Sequence, residues 1–155
     1  MKRILILGIA LMLCVGLVGC GRQVKDKNGE SETGLSSLTD QELLKSNPKS
    51  VSVGSVKNQE NGKTTWTVKK FSGVEIVDTA RVQEGAKSVA FVADCVREKG
   101  NLQLYVCKDG ELIGTVSIGQ GASLTIKNPK PGKYELRMAG ESAAFDLSAT
   151  VTVNP

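Results

Sequence analysis

The chain predicts an all-β domain over residues 49–155, a single antiparallel β-sandwich of jelly-roll type with about eight or nine strands. Three observations predict it. From Ser50 onward apolar and polar residues alternate with period two. Turn residues break that alternation about every ten positions, at Asn61-Gly62, Ser72-Gly73, Glu84-Gly85, Lys99-Gly100-Asn101, Asp109-Gly110, Gly119-Gln120-Gly121, 128–132 and Gly140. The clearest segments also have one apolar and one polar face. Tyr134, Leu136 and Met138 alternate with Lys133, Glu135 and Arg137, and Phe145, Leu147, Ala149, Val151 and Val153 alternate with Asp146, Ser148, Thr150 and Thr152. An antiparallel sheet with one solvated side has that pattern.

The chain before the domain divides into three parts. Residues 1–19 begin with Lys2 and Arg3, continue as an apolar run from Ile4 to Val18, and end on the small residue Gly19. This is the layout of a secretory signal. The run falls short of the ~20 residues a membrane-crossing helix requires, which argues against a retained transmembrane helix. At its end, Leu17-Val18-Gly19-Cys20 resembles the lipobox of bacterial lipoproteins. The resemblance implies a diacylglyceryl thioether on Cys20 and cleavage between Gly19 and Cys20. It also implies a membrane partner held through lipid, and a location on the extracytoplasmic face of the cell membrane. Gly21 carries no aspartate retention signal, so a two-membrane cell would send the protein to its outer membrane.

Residues 20–48 read as a flexible tether that closes on a short helix. Gly, Ser and mixed charges dominate 20–37, and such a composition buries too little to offset the entropy of ordering. Thr39 and Glu42 then form a capping-box pattern, with Leu38 and Leu43 at staple spacing and Asp40 in the first turn. These residues predict one or two helical turns over about 40–46, ended before Pro48.

Within the domain, Asp109-Gly110 marks a hairpin whose register the apolar pattern constrains. A two-residue loop would pair Val106 with Ile113 and bring Thr115 and Ser117 inward. A three-residue loop over 108–110 pairs Val106 with Leu112 and Leu102 with Val116, which keeps one face apolar and is the expected form.

Composition narrows the function classes. The chain has 20 basic and 16 acidic residues, and removal of Lys2 and Arg3 with the signal leaves 18 against 16. That balance lacks the basic footprint of a nucleic-acid-binding protein, and no nucleic-acid partner is expected. Histidine is absent, which excludes Ser-His-Asp and Cys-His catalysis and His-ligated zinc. No cofactor, no metal site and no enzymatic activity are expected.

A few side chains remain as candidates. Cys95 and Cys107 flank a strand-turn-strand unit, and export would permit a disulfide between them. The hairpin register instead turns Cys107 outward with Tyr105, leaving the two as small free thiols. Both readings stay open at this point. Trp66 shares a face with Val68 and reads as core rather than as a stacking platform. Tyr105 is the one aromatic expected outside and the candidate ligand contact. Asp94, Asp109, Glu111 and Asp146 lack the alternating spacing of a calcium loop and read as solvated charges.

The stretch Gly100-Asn101-Leu102-Gln103-Leu104-Tyr105-Val106, with Asp109-Gly110 and the later Pro131-Gly132-Lys133-Tyr134-Glu135-Leu136-Arg137, resembles the accessory β-sandwich modules of the pre-peptidase C-terminal type. That resemblance implies a non-catalytic, extracytoplasmic binding or spacer module, whose partner is an envelope protein or a glycan. A small-ligand or glycan receptor is the alternative it leaves.

Overall fold

The computed structural model describes residue 35 and residues 37–155. Gly19, Cys20 and the signal and tether readings up to residue 34 lie outside the described residues. The described chain is all-β and antiparallel apart from one short helix. Helix α1 (Asp40–Leu44) is followed by β1 (Ser50–Glu60), β2 (Lys63–Val82), β3 (Ser88–Lys108), β4 (Glu111–Val116), β5 (Ala122–Lys127) and β6 (Gly132–Asn154). All six strands belong to one sheet in the order β1-β2-β6-β3-β4, with β5 also paired to β3.

Six strands stand where eight or nine were expected, for a local reason. The predicted breaks at Ser72-Gly73, Lys99-Gly100-Asn101 and Gly140 lie inside β2, β3 and β6, which turn there without leaving the sheet. Register shifts mark the same level, between Val68 and Gly73 in β2 and between Arg97 and Asn101 in β3. Gly100 has φ +70°, and a Cβ on it would lie 2.5 Å from the carbonyl oxygen of Ser142. Only a glycine adopts that backbone at that approach.

The three bends fold the sheet back on itself. β6 starts at Gly132 beside Val82 and ends at Asn154 beside Ser88. An unbent strand of its length would span ~75 Å. Val82 and Ser88 are joined by a loop that can reach only ~20 Å. The two ends of β6 are therefore brought close together, and one core fills the space between the halves. Trp66, Phe71 and Phe145 meet at the bend as mutually edge-to-face rings, with centroids 5.1–5.8 Å apart. The Trp66 indole N–H donates to Ser55 Oγ at 2.8 Å, so its one polar atom is satisfied.

The Asp109-Gly110 hairpin differs from the expected form. Lys108 pairs with Glu111 across a two-residue turn in which both central residues have positive φ, 49° and 88°. This is the turn whose twist matches the flanking strands. The extra residue is Ile113 on β4, where the register shifts between Cys107–Leu112 and Val106–Gly114. A bulge is still needed to bring Val116 into the core, opposite Leu104, but β4 supplies it rather than the turn.

Candidate functional site

Two features stand apart from the folding core: a helix dock on the outer face of the sheet and a strand edge that no other described strand pairs. The dock begins with α1. Thr39 and Glu42 form the expected capping box, and the helix stops at Leu44, with Lys45 as C-cap. Leu35, Leu38, Leu43 and Leu44 pack on Val74, Tyr105, Cys107 and Ala139, a cluster separate from the main core. Tyr105 and Cys107 lie on the face that alternation assigned to solvent. The helix covers it.

Tyr105 is thus corrected from an exposed ligand contact to a buried residue, 1% accessible. Its hydroxyl donates to the carbonyl oxygen of Leu43 at 2.9 Å. Burial pushes its phenol well above the usual range. Glu135 and Arg137, expected to be wet, are also buried, at 5% and 1%. Arg137 Nη1 donates to the carbonyl oxygens of Leu43 at 2.9 Å and Lys45 at 2.8 Å. Its Nε donates to Glu135 at 2.8 Å, and Nη2 binds the same carboxylate. Burial alone would raise the Glu135 carboxyl, but Lys133 and Arg137 outweigh it and hold the group below the ordinary range. The last carbonyls of a helix need donors, and a guanidinium supplies several in fixed geometry. Sequence pattern alone could not show this, because Glu135 and Arg137 alternate as surface residues do.

The two cysteines are free and buried, in different clusters. Cys95 lies in the main core and Cys107 beneath α1, so the sheet separates the thiols that a disulfide would have to join. Burial pushes Cys95 up to about 12 and Cys107 in the same direction.

Between the dock and β4 runs a groove of ≈ 290 Å³ lined by Asp40, Leu43, Leu44, Gln103, Tyr105 and Leu112. Three of the four acidic residues considered as calcium ligands accept hydrogen bonds within the domain. Asp94 accepts from the Gly121 N–H, Asp109 from the Lys133 N–H, and Asp146 from the Thr67 hydroxyl. Among the described residues none form a group of three or more that could hold a metal ion.

The second feature is β1, which ends the sheet. Ser52, Ser55 and Lys57 pair with the core residues Phe71, Val68 and Trp66 and so share the inner face. Val51, Val53 and Val56 pair with Ser72, Lys70 and Thr67 on the outer face and are 71%, 59% and 60% exposed. The valines thus lie on the outer face, while Ser52 and Ser55, themselves exposed, lie on the inner one. Sequence alternation could not assign this strand's faces because Gly54, at φ +59°, switches them midway.

Protein-family models and curated proteins were both compared with the chain, and none matches it.

Proposed function

We propose that the protein is a lipid-anchored, non-catalytic binding module of the cell envelope, tethered through Cys20 and making its contact through the β1 edge. The row of solvent-facing valines on a strand whose outer edge no other described strand pairs carries the reading. Exposed edges are ordinarily shortened or guarded by charge, and one that is long and apolar marks a place where another chain adds. The opposite edge follows the usual rule, since β4 and β5 are short and interrupted. The lipobox-like Leu17-Val18-Gly19-Cys20 supports the anchor. The helix dock suits the same role, because α1 is the first described element after the tether and is fixed to the sheet by Arg137 and Tyr105. Two acyl chains at Cys20 would hold the module stably, at about 0.8 kcal/mol per buried methylene.

Two measurements test this reading. Mass spectrometry of the native protein is expected to find a diacylglyceryl-modified Cys20 at the amino terminus, and Cys20→Ser to leave the detergent phase. A photo-crosslinker replacing Val53 is expected to form an adduct in intact envelopes, while one replacing Lys127 does not. An unmodified terminus upstream of Cys20, or no adduct from Val53, overturns it.

The groove beneath Leu112 favours a second reading, a receptor for a small apolar ligand. Its volume is near the lower end of ligand pockets. Tyr105 gives it no stacking platform for a sugar, because the ring is buried under α1. Binding of a fluorescent apolar probe that Leu112→Glu abolishes would support this reading.

A further inference from the structure

We infer that β1 pairs with β1 of a second copy of the chain, antiparallel about a two-fold axis, so that two sheets join into one. The inference rests on the binding-module reading and names the partner of its edge. Gly54 interrupts the alternation of β1, with Val53 outward before it and Ser55 inward after it. With Gly54 set aside, the rest of β1 alternates regularly between its two faces, and Ser55 is the fifth of its ten residues. A two-fold axis at Ser55 therefore matches faces along the whole edge. Val53 lies opposite Val56 of the second copy, Val51 opposite Asn58, and the inward Ser52 opposite Lys57. Residues opposed across an antiparallel pair must share a face, and this register satisfies that rule on both arms.

Charge agrees with the same register. At the end of the pairing, Glu60, the last residue of β1, falls opposite Lys49 of the second copy, the residue before β1, and the symmetry repeats that pair at the other end. Both residues are exposed. No like charges oppose one another. The lysine within β1 does not guard the edge, because Lys57 Nζ is drawn inward to Glu75 at 2.9 Å and to the carbonyl oxygen of Ile76 at 3.0 Å. The strand holds no proline. A single added strand pair is a small interface, so weak association is expected in solution, on the order of 10 μM. Tethering to one membrane raises the effective concentration toward the millimolar range, which suffices to fill it.

The register makes a charge-swap test available. Val53 and Val56 are solvent-facing, so substitution leaves the monomer intact, and equal thermal unfolding checks this. The protein is the full chain purified from membranes in detergent, and sedimentation velocity reads its association. Wild type is expected to dimerise. Val53→Lys with Val56→Lys sets lysine against lysine twice and is expected to weaken dimerisation at least about tenfold. Val53→Lys with Val56→Glu sets lysine against glutamate twice and is expected to restore it. A monomeric wild type at about 100 μM, well above the expected constant, overturns the inference. Equal dimerisation of all three proteins, or failure of the Lys/Glu variant to recover, also overturns it. A monomeric wild type whose Val53 crosslinks to a different envelope component would leave the binding-module reading standing and remove only the self-pairing.

Discussion

Tyr105 and Arg137 are directly opposed across β3 and β6, and both donate to one atom, the carbonyl oxygen of Leu43. One cross-strand pair near the middle of the sheet thus holds the end of α1. Glu135 completes the arrangement by balancing the guanidinium, and its other oxygen meets Lys133. The carboxylate and guanidinium are both removed from water, so the network stabilises only while it is whole.

Loss of the guanidinium should therefore cost more than loss of the pair. Arg137→Met leaves Glu135 buried with Lys133 alone, the Lys45 carbonyl without its side-chain donor, and the Leu43 carbonyl with Tyr105 only. A destabilisation of about 3 kcal/mol is expected, at the low end for a broken buried pair because Lys133 remains. Arg137→Met with Glu135→Leu should recover much of it, since an apolar replacement removes both buried charges. Urea unfolding measures both. Hydrogen exchange over 40–44 should speed up in each variant, because the helix carbonyls lose the same donor.

The same network sets an acid limb. Glu135 has a lower pKa folded than unfolded. Its stabilising contribution is therefore fully present above the unfolded value, about 4.3 for a free glutamate, and is lost as pH falls through the folded value. Glu135→Gln should be less stable than wild type at neutral pH, and the difference should shrink from about pH 4.5 downward. A difference that stays constant from pH 7 to pH 3 would exclude Glu135 as the titrating group.

Both domain thiols should resist modification in the folded state. Cys95 and Cys107 are buried, and desolvation disfavours their thiolates, the reactive form. With Cys14 removed and Cys20 in a thioether, a disulfide-exchange reagent should find no fast-reacting thiol in the native protein and two after denaturation without reductant. No thiol after denaturation would mean that the two are bonded. A higher count would mean that Cys20 carries no lipid.

The all-β class, the capping box and the core position of Trp66 were legible because each rests on local chemistry: alternation, a side chain reaching three residues, and a shared face with Val68. What stayed hidden depends on distant chain. Glu135 and Arg137 look like surface residues until a helix nearly a hundred positions earlier in the chain covers them. Gly73, Gly100 and Gly140 read as turns because each breaks the alternation. Sequence does not reveal that neighbouring strands bend at the same level and so stay paired. On β1, Gly54 reverses the faces within one strand, and period-two reasoning has no means of counting the extra residue.

The bend itself can be tested at Gly140, which meets the aromatic cluster. A Cβ there would lie 2.6 Å from Cδ1 of Phe71 and 3.3 Å from Cβ of Ala143. Phe71 cannot yield easily, since its ring is fully buried and held edge-on by Trp66 and Phe145. Gly140→Ala should therefore cost about 1–3 kcal/mol, the usual range for overpacking a filled core. Phe71→Leu alone should also destabilise, through the space the ring vacates. If the contact is the cause, combining the two should cost less than their sum, because the smaller side chain makes room for the new methyl. A double-mutant cycle by urea unfolding measures this. Strict additivity would place the cost of Gly140→Ala in the backbone rather than against the ring.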